Sequence, residues 1–209
     1  MDVTTLAVAL IGVGGTLGGT LGGAVLNQRA NREQDERAER ERERERHEQA
    51  VQTRRDVYAR LNTTARAYRV AARDAVEAAK RGEDIDPALL ESAKEAWADQ
   101  YSLAQMTLAK DVLDVASALN RALGLGYAVV KHLPGSPDAA FRRADTWFSG
   151  PLSDGVYLLR VALRHDLGVE VDPDFEHTRA HFLAALDSAR HDLARLIATG
   201  GTQAAGSSA

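Results

Sequence analysis

Two groups of residues in this sequence have spacings that chemistry uses. His177 and His181 stand four residues apart, the interval at which two imidazoles on one helix face can share a metal ion, with His191 and Glu176 nearby. Upstream, Gly12 and the run GGTLGGTLGG from Gly14 to Gly23 approach the fingerprint of a dinucleotide-binding loop. Neither group carries through. On a helical wheel the three histidines lie opposite Phe182, Leu186 and Leu193, which turns them toward solvent, where nothing would orient them as ligands. The stretch from His177 to His181 also lacks the glutamate of H-E-x-x-H. In the glycine run Leu17 stands where the third fingerprint glycine belongs, an Arg/Glu run follows where a second strand is needed, and no Lys-Ser or Lys-Thr completes a Walker loop. Cysteine is absent, which removes disulfides, thiolate zinc sites and cysteine nucleophiles together. There is no G-x-S-x-G elbow, and Asp154, Asp166, Asp172 and Asp174 sit at turns and helix ends, where capping accounts for them. The sequence therefore predicts no enzyme, no cofactor and no metal site.

The glycine run makes better sense within its flanks. Val3 to Leu26 is 24 residues without a charged side chain. As a helix it measures about 36 Å, enough to cross a hydrocarbon core of about 30 Å. Gly14, Gly18 and Gly22 form one small-x-x-x-small ladder and Gly15, Gly19 and Gly23 a second. Leu6, Leu10, Val13, Leu17 and Leu21 gather on the opposite face. This pattern predicts a transmembrane helix with a glycine-zipper face on which two copies pack. No Lys or Arg precedes it, whereas Arg29, Arg32 and Arg37 follow, so the N-terminus is expected outside and the rest of the chain in the cytoplasm. Met1-Asp2 gives no basic n-region for a cleaved leader.

Residues 27–56 carry nine Arg and nine Asp/Glu, with Ala30, Ala38, Ala50 and Val51 the apolar ones. A helix without an apolar face cannot be buried, so a solvated helical spacer is predicted. Arg29/Glu33, Arg32/Glu36, Glu33/Arg37 and Glu36/Arg40 are favourable i,i+4 pairs, whereas the run from Glu39 to Arg46 places like charges at that interval and predicts fraying near His47. The interleaved carboxylates and the net charge of -4 argue against nucleic acid as a partner.

An apolar seam then begins at Tyr58 and runs through Leu61, Ala65, Tyr68, Ala72, Ala75 and Ala79 to a stop at Gly82. Leu90, Trp97, Tyr101, Ala104, Leu108, Val112, Val115 and Leu119 continue the rhythm, predicting one helix from Pro87 to Leu123 that is ended by Gly124. A short helix is expected over Asp138–Phe148, longer ones over Leu152–Leu167 and Pro173–Ala198, and a flexible tail over 200–209. The fold class is all-α: a transmembrane helix (3–26), a charged helix (27–56) and an antiparallel helical bundle (57–199).

The order of glycine-rich span, Arg/Glu-rich helix and Arg54-Arg55-Asp56-Val57-Tyr58-Ala59-Arg60-Leu61 resembles uncharacterised single-pass membrane proteins common in actinobacteria, over roughly residues 5–75. The resemblance implies the architecture and supplies no activity and no site residues. The expected role is a membrane-anchored scaffold or interaction module with three kinds of contact: the lipid bilayer, a second copy through the span, and a protein partner on the bundle. A competing reading is a membrane-tethered sensor or small-molecule binder with a pocket near Trp97, Tyr127, Trp147 and Tyr157, although aromatic residues at helical spacing are ordinarily core.

Overall fold

A computed structural model describes the backbone of residues 3–133, 136–169 and 172–206, and the side chains of 34, 36–133, 136–169 and 172–195. It is all-helical, with no strand among the described residues: α1 (Val3–Lys80), α2 (Pro87–Ala104), α3 (Lys110–Lys131), α4 (Asp138–Ser149), α5 (Pro151–Asp166) and α6 (Phe175–Gly206). The chain divides into two compact units, Met1–Gln52 and Thr53–Ala209.

In the first unit the predicted span and its glycine face lie outside the residues whose side chains are described. Among the described residues no helix is long and apolar enough to cross a membrane. From Glu36 to Ala50 all side chains are exposed except the half-buried Ala38, as a helix without an apolar face requires. The expected pair between Glu36 and Arg40 forms at 2.8 Å. The helix runs through His47 without interruption, where the alternating charges had predicted fraying.

The second unit is a helical bundle. Its share of α1 buries the predicted seam: Tyr58 is 2% exposed, Leu61 and Ala65 0%, Tyr68 2% and Ala72 1%. Gly82 ends the helix at φ 72, a left-handed conformation costly for other residues, with Glu83 N–H donating to the Ala78 carbonyl and Gly82 N–H to that of Ala79. Gly168 closes α5 with the same motif at φ 67. Asp86 opens α2 by accepting from Ala88 N–H at 2.9 Å, and Pro87 occupies the first turn, where its missing N–H costs nothing.

The expected helix from Pro87 to Leu123 is in fact two. Thr107 N–H, the Thr107 hydroxyl and Leu108 N–H all converge on the Ala104 carbonyl, at 2.9, 3.2 and 2.8 Å, and Ala109 then turns to extended backbone. This local capture ends α2 without a Gly or Pro. The two halves lie side by side: Trp97 donates its indole N–H to Asn120 at 2.8 Å, across residues that one continuous helix would hold about 34 Å apart. The seam itself was read correctly, since Leu90, Trp97, Ala104, Val112, Val115 and Leu119 are all buried.

Gly124 does not stop α3 either, which runs on to Lys131. A Cβ on Gly126 would meet the Phe148 ring at 3.0 Å and the Trp147 indole nitrogen at 3.3 Å. The glycine there is a notch into which α4 packs. The centre of the bundle is α3, which packs against α2, α4, α5 and α6. Arg179 on α6 is 16% exposed and clamps that helix to α3, reaching Asp111 at 3.5 Å and Asp114 at 3.7 Å beside its own-helix partner Glu176 at 2.5 Å.

Candidate functional site

The four aromatic residues proposed to share a pocket occupy separate environments. Trp97 is core: 2% exposed, its indole N–H satisfied by Asn120, its ring stacked on Tyr101 at 5.7 Å. Tyr157 is half exposed on α5, its ring 6.4 Å from that of Phe182, with the Arg160 guanidinium 5.1 Å above it. Trp147 is 3% exposed and its indole nitrogen has no hydrogen-bond partner.

Tyr127 belongs to a polar cluster that ties α2 to α3. Its hydroxyl donates to the Glu91 carboxylate, while Lys94 Nζ and Lys131 Nζ sit 4.2 and 4.9 Å from its ring centroid. The Tyr127 hydroxyl and then Lys94 hold the Glu91 carboxyl below its ordinary range. Glu91 in turn raises Lys94, and Tyr127 is the main cause of the upward shift at Lys131. Close by, the Tyr68 hydroxyl is pushed up, first by burial and then by the charge of Tyr127 and Glu91. The Glu91 carboxylate meets both lysines, Lys94 at 3.1 Å and Lys131 at 3.5 Å, so the cluster clamps α2 to α3.

A second tie joins α1 to the end of α5. The Tyr58 hydroxyl donates to the Asp166 carboxylate, which also lies 3.8 Å from Arg54. Burial, followed by the hydrogen bond to Asp166, raises the Tyr58 hydroxyl. The sequence reading gave Asp166 only a capping role. Its partner is 108 positions away, a pairing that no spacing rule reaches.

The histidines stand where the helical wheel put them. His177, His181 and His191 are exposed, with His191 Nδ1 2.8 Å from the Asp187 carbonyl. No group of three or more His, Asp or Glu is arranged to hold a metal ion among the described residues.

Concave surface lies elsewhere. A groove of about 440 Å³ runs between α4, the start of α5 and α6, its lining including Arg142, Arg143, Trp147, Pro151, Ala189 and Leu193 together with Thr146 and Asp192. Of the four predicted pocket residues, Trp147 alone lines it. A second groove of about 430 Å³ lies between α1 and α2 at Ala59, Thr63, Ala96 and Asp99. The larger groove leaves little mark on the sequence because its walls come from three helices. The adjacent pair Arg142-Arg143, on a short helix with one aromatic face, was the available signal.

Set beside known proteins, the chain stands apart: no family model matches it, and neither does any curated protein or solved structure.

Proposed function

We propose that this chain is a membrane-anchored helical scaffold, tethered by residues 3–26 with its N-terminus outside and its bundle in the cytoplasm, and that it acts by binding a protein partner without catalysing a reaction. The uncharged 24-residue stretch from Val3 to Leu26, with its glycines on one face, is the observation that carries this reading. The resemblance to single-pass membrane proteins of actinobacteria supports the same arrangement. The charged helix serves as a spacer between bilayer and bundle, and two copies associate through the span.

The glycine face gives the test. Replacing Gly15, Gly19 and Gly23 by Ile places three branched side chains where two backbones would meet, and self-association should weaken by about 1–2 kcal/mol in a membrane crosslinking assay on the full chain. Replacing Leu10, Leu17 and Leu21 by Ile should leave it unchanged. Equal association of the wild type and the glycine triple variant would refute the packing face. Recovery of the intact protein in the soluble fraction, without detergent, would refute the anchor itself.

A further inference from the structure

Several arginines of the folded chain are paired. Arg40, Arg81, Arg179, Arg190 and Arg195 each lie within ion-pair distance of a carboxylate on their own or a neighbouring turn. Arg142 and Arg143 differ: both are exposed, both line the α4–α5–α6 groove, and neither makes an ion pair among the described residues. Two adjacent guanidinium groups without a carboxylate partner repel each other, and a planar fork of donors matches the two oxygens of a carboxylate. Apart from Thr146 and Asp192 the rest of the lining is apolar: Trp147 and Leu193, 3% and 7% exposed, with Ala139, Pro151 and Ala189.

We propose that this groove binds a small organic monoanion, a carboxylate carried on an apolar body about the size of a two-ring hydrocarbon. Its volume of about 440 Å³ falls within the range of small-molecule sites. The other polar groups of the lining fix the polarity of the ligand. The Thr146 hydroxyl donates to the Arg142 carbonyl at 2.9 Å, so it has no proton left for a carboxylate, and anion recognition falls on the two arginines. On the α6 wall Asp192, paired with Arg195, sets a carboxylate in the lining and opposes a second anionic group there. One carboxylate is favoured and two are penalised. This goes beyond the scaffold role and does not depend on it.

Isothermal titration of the full chain in dodecyl maltoside with 2-naphthoate, against a micelle blank, tests the proposal. Saturable binding of one naphthoate per chain is expected, with 2-naphthylmethanol and a naphthalene dicarboxylate both weaker. Arg142→Gln with Arg143→Gln should raise the Kd for naphthoate at least about tenfold while leaving thermal unfolding unchanged, because charge-assisted hydrogen bonds are lost from an exposed wall. Ala189→Trp should fill the groove and abolish binding. Absence of saturable heat in the wild type, equal affinity in the double arginine variant, or equal affinity for the neutral alcohol would each overturn it. Should Ala189→Trp fail to fold, the double arginine variant decides alone.

Discussion

Helix α1 contains two stretches with the same secondary structure and opposite fates. Over 36–50 its side chains are exposed almost without exception, whereas over 57–76 a stripe from Val57 to Val76 is buried, with Leu61, Ala65 and Val76 at 0% exposure. Local chemistry favours helix in both, through residues of good propensity in the first and through alanines in the second. What separates them is the apolar seam. Without one, ordering a side chain returns nothing that offsets its lost rotamer freedom. With one, burial of apolar area outweighs that cost. A helix is thus easily written into a sequence, and its packing requires a second instruction at period 3.6.

Substitutions should separate the two stretches in proportion to burial. Leu61→Ala removes methyl groups from a fully buried position and should destabilise the bundle by about 2–5 kcal/mol, read by urea unfolding. A loss below about 1 kcal/mol would mean that the seam is not tightly packed, and the contrast between the stretches would collapse. Tyr58→Phe keeps the ring in the core and deletes only the hydroxyl that donates to Asp166. Because Asp166 retains Arg54 nearby and some contact with water, the expected cost is smaller, about 1 kcal/mol. Asp166→Asn in the same background should then add little, since the two groups belong to one interaction.

The same distinction explains how much was legible beforehand. Periodicity reports burial, and the residues of the α1, α2 and α3 seams were readable one by one, down to Tyr58, Leu61 and Tyr68. Chain reversals were readable where glycine adopts positive φ, at Gly82 and Gly168, because the conformation itself selects the residue. They were not readable at Ala104, where Thr107 and Leu108 close the helix through bonds that any helical sequence could have forgone. Gly124 misled in the other direction: it resembles a stop and lies inside α3, and Gly126 beside it is a packing notch against Phe148, a role set by a neighbour 22 positions on. The groove and the Tyr58–Asp166 tie share this limit. Both depend on which helices become neighbours, and a one-dimensional pattern carries that only faintly.

The smallest expected effect lies in the charged stretch and tests the comparison from its other side. Arg40 donates to Glu36 at 2.8 Å, with the two side chains 64% and 62% exposed. Pairs of this kind on an exposed helix contribute about 0.2–0.5 kcal/mol at low salt, with the acid N-terminal to the base in the favourable orientation. Arg40→Gln removes that contribution. It also removes the like-charge neighbour of Arg44 at i,i+4, so part of the loss is returned. The net change should be a few tenths of a kcal/mol, which for a chain of this size moves Tm by about 1 °C. Raising the salt concentration should erase even that difference, because both interactions are solvent-exposed and screened within about 10 Å at 0.1 M. A drop of several degrees, persisting in high salt, would show that this face of the helix is covered by another surface. The charged stretch would then be an interface, and exposure would no longer distinguish it from the seam that begins at Val57.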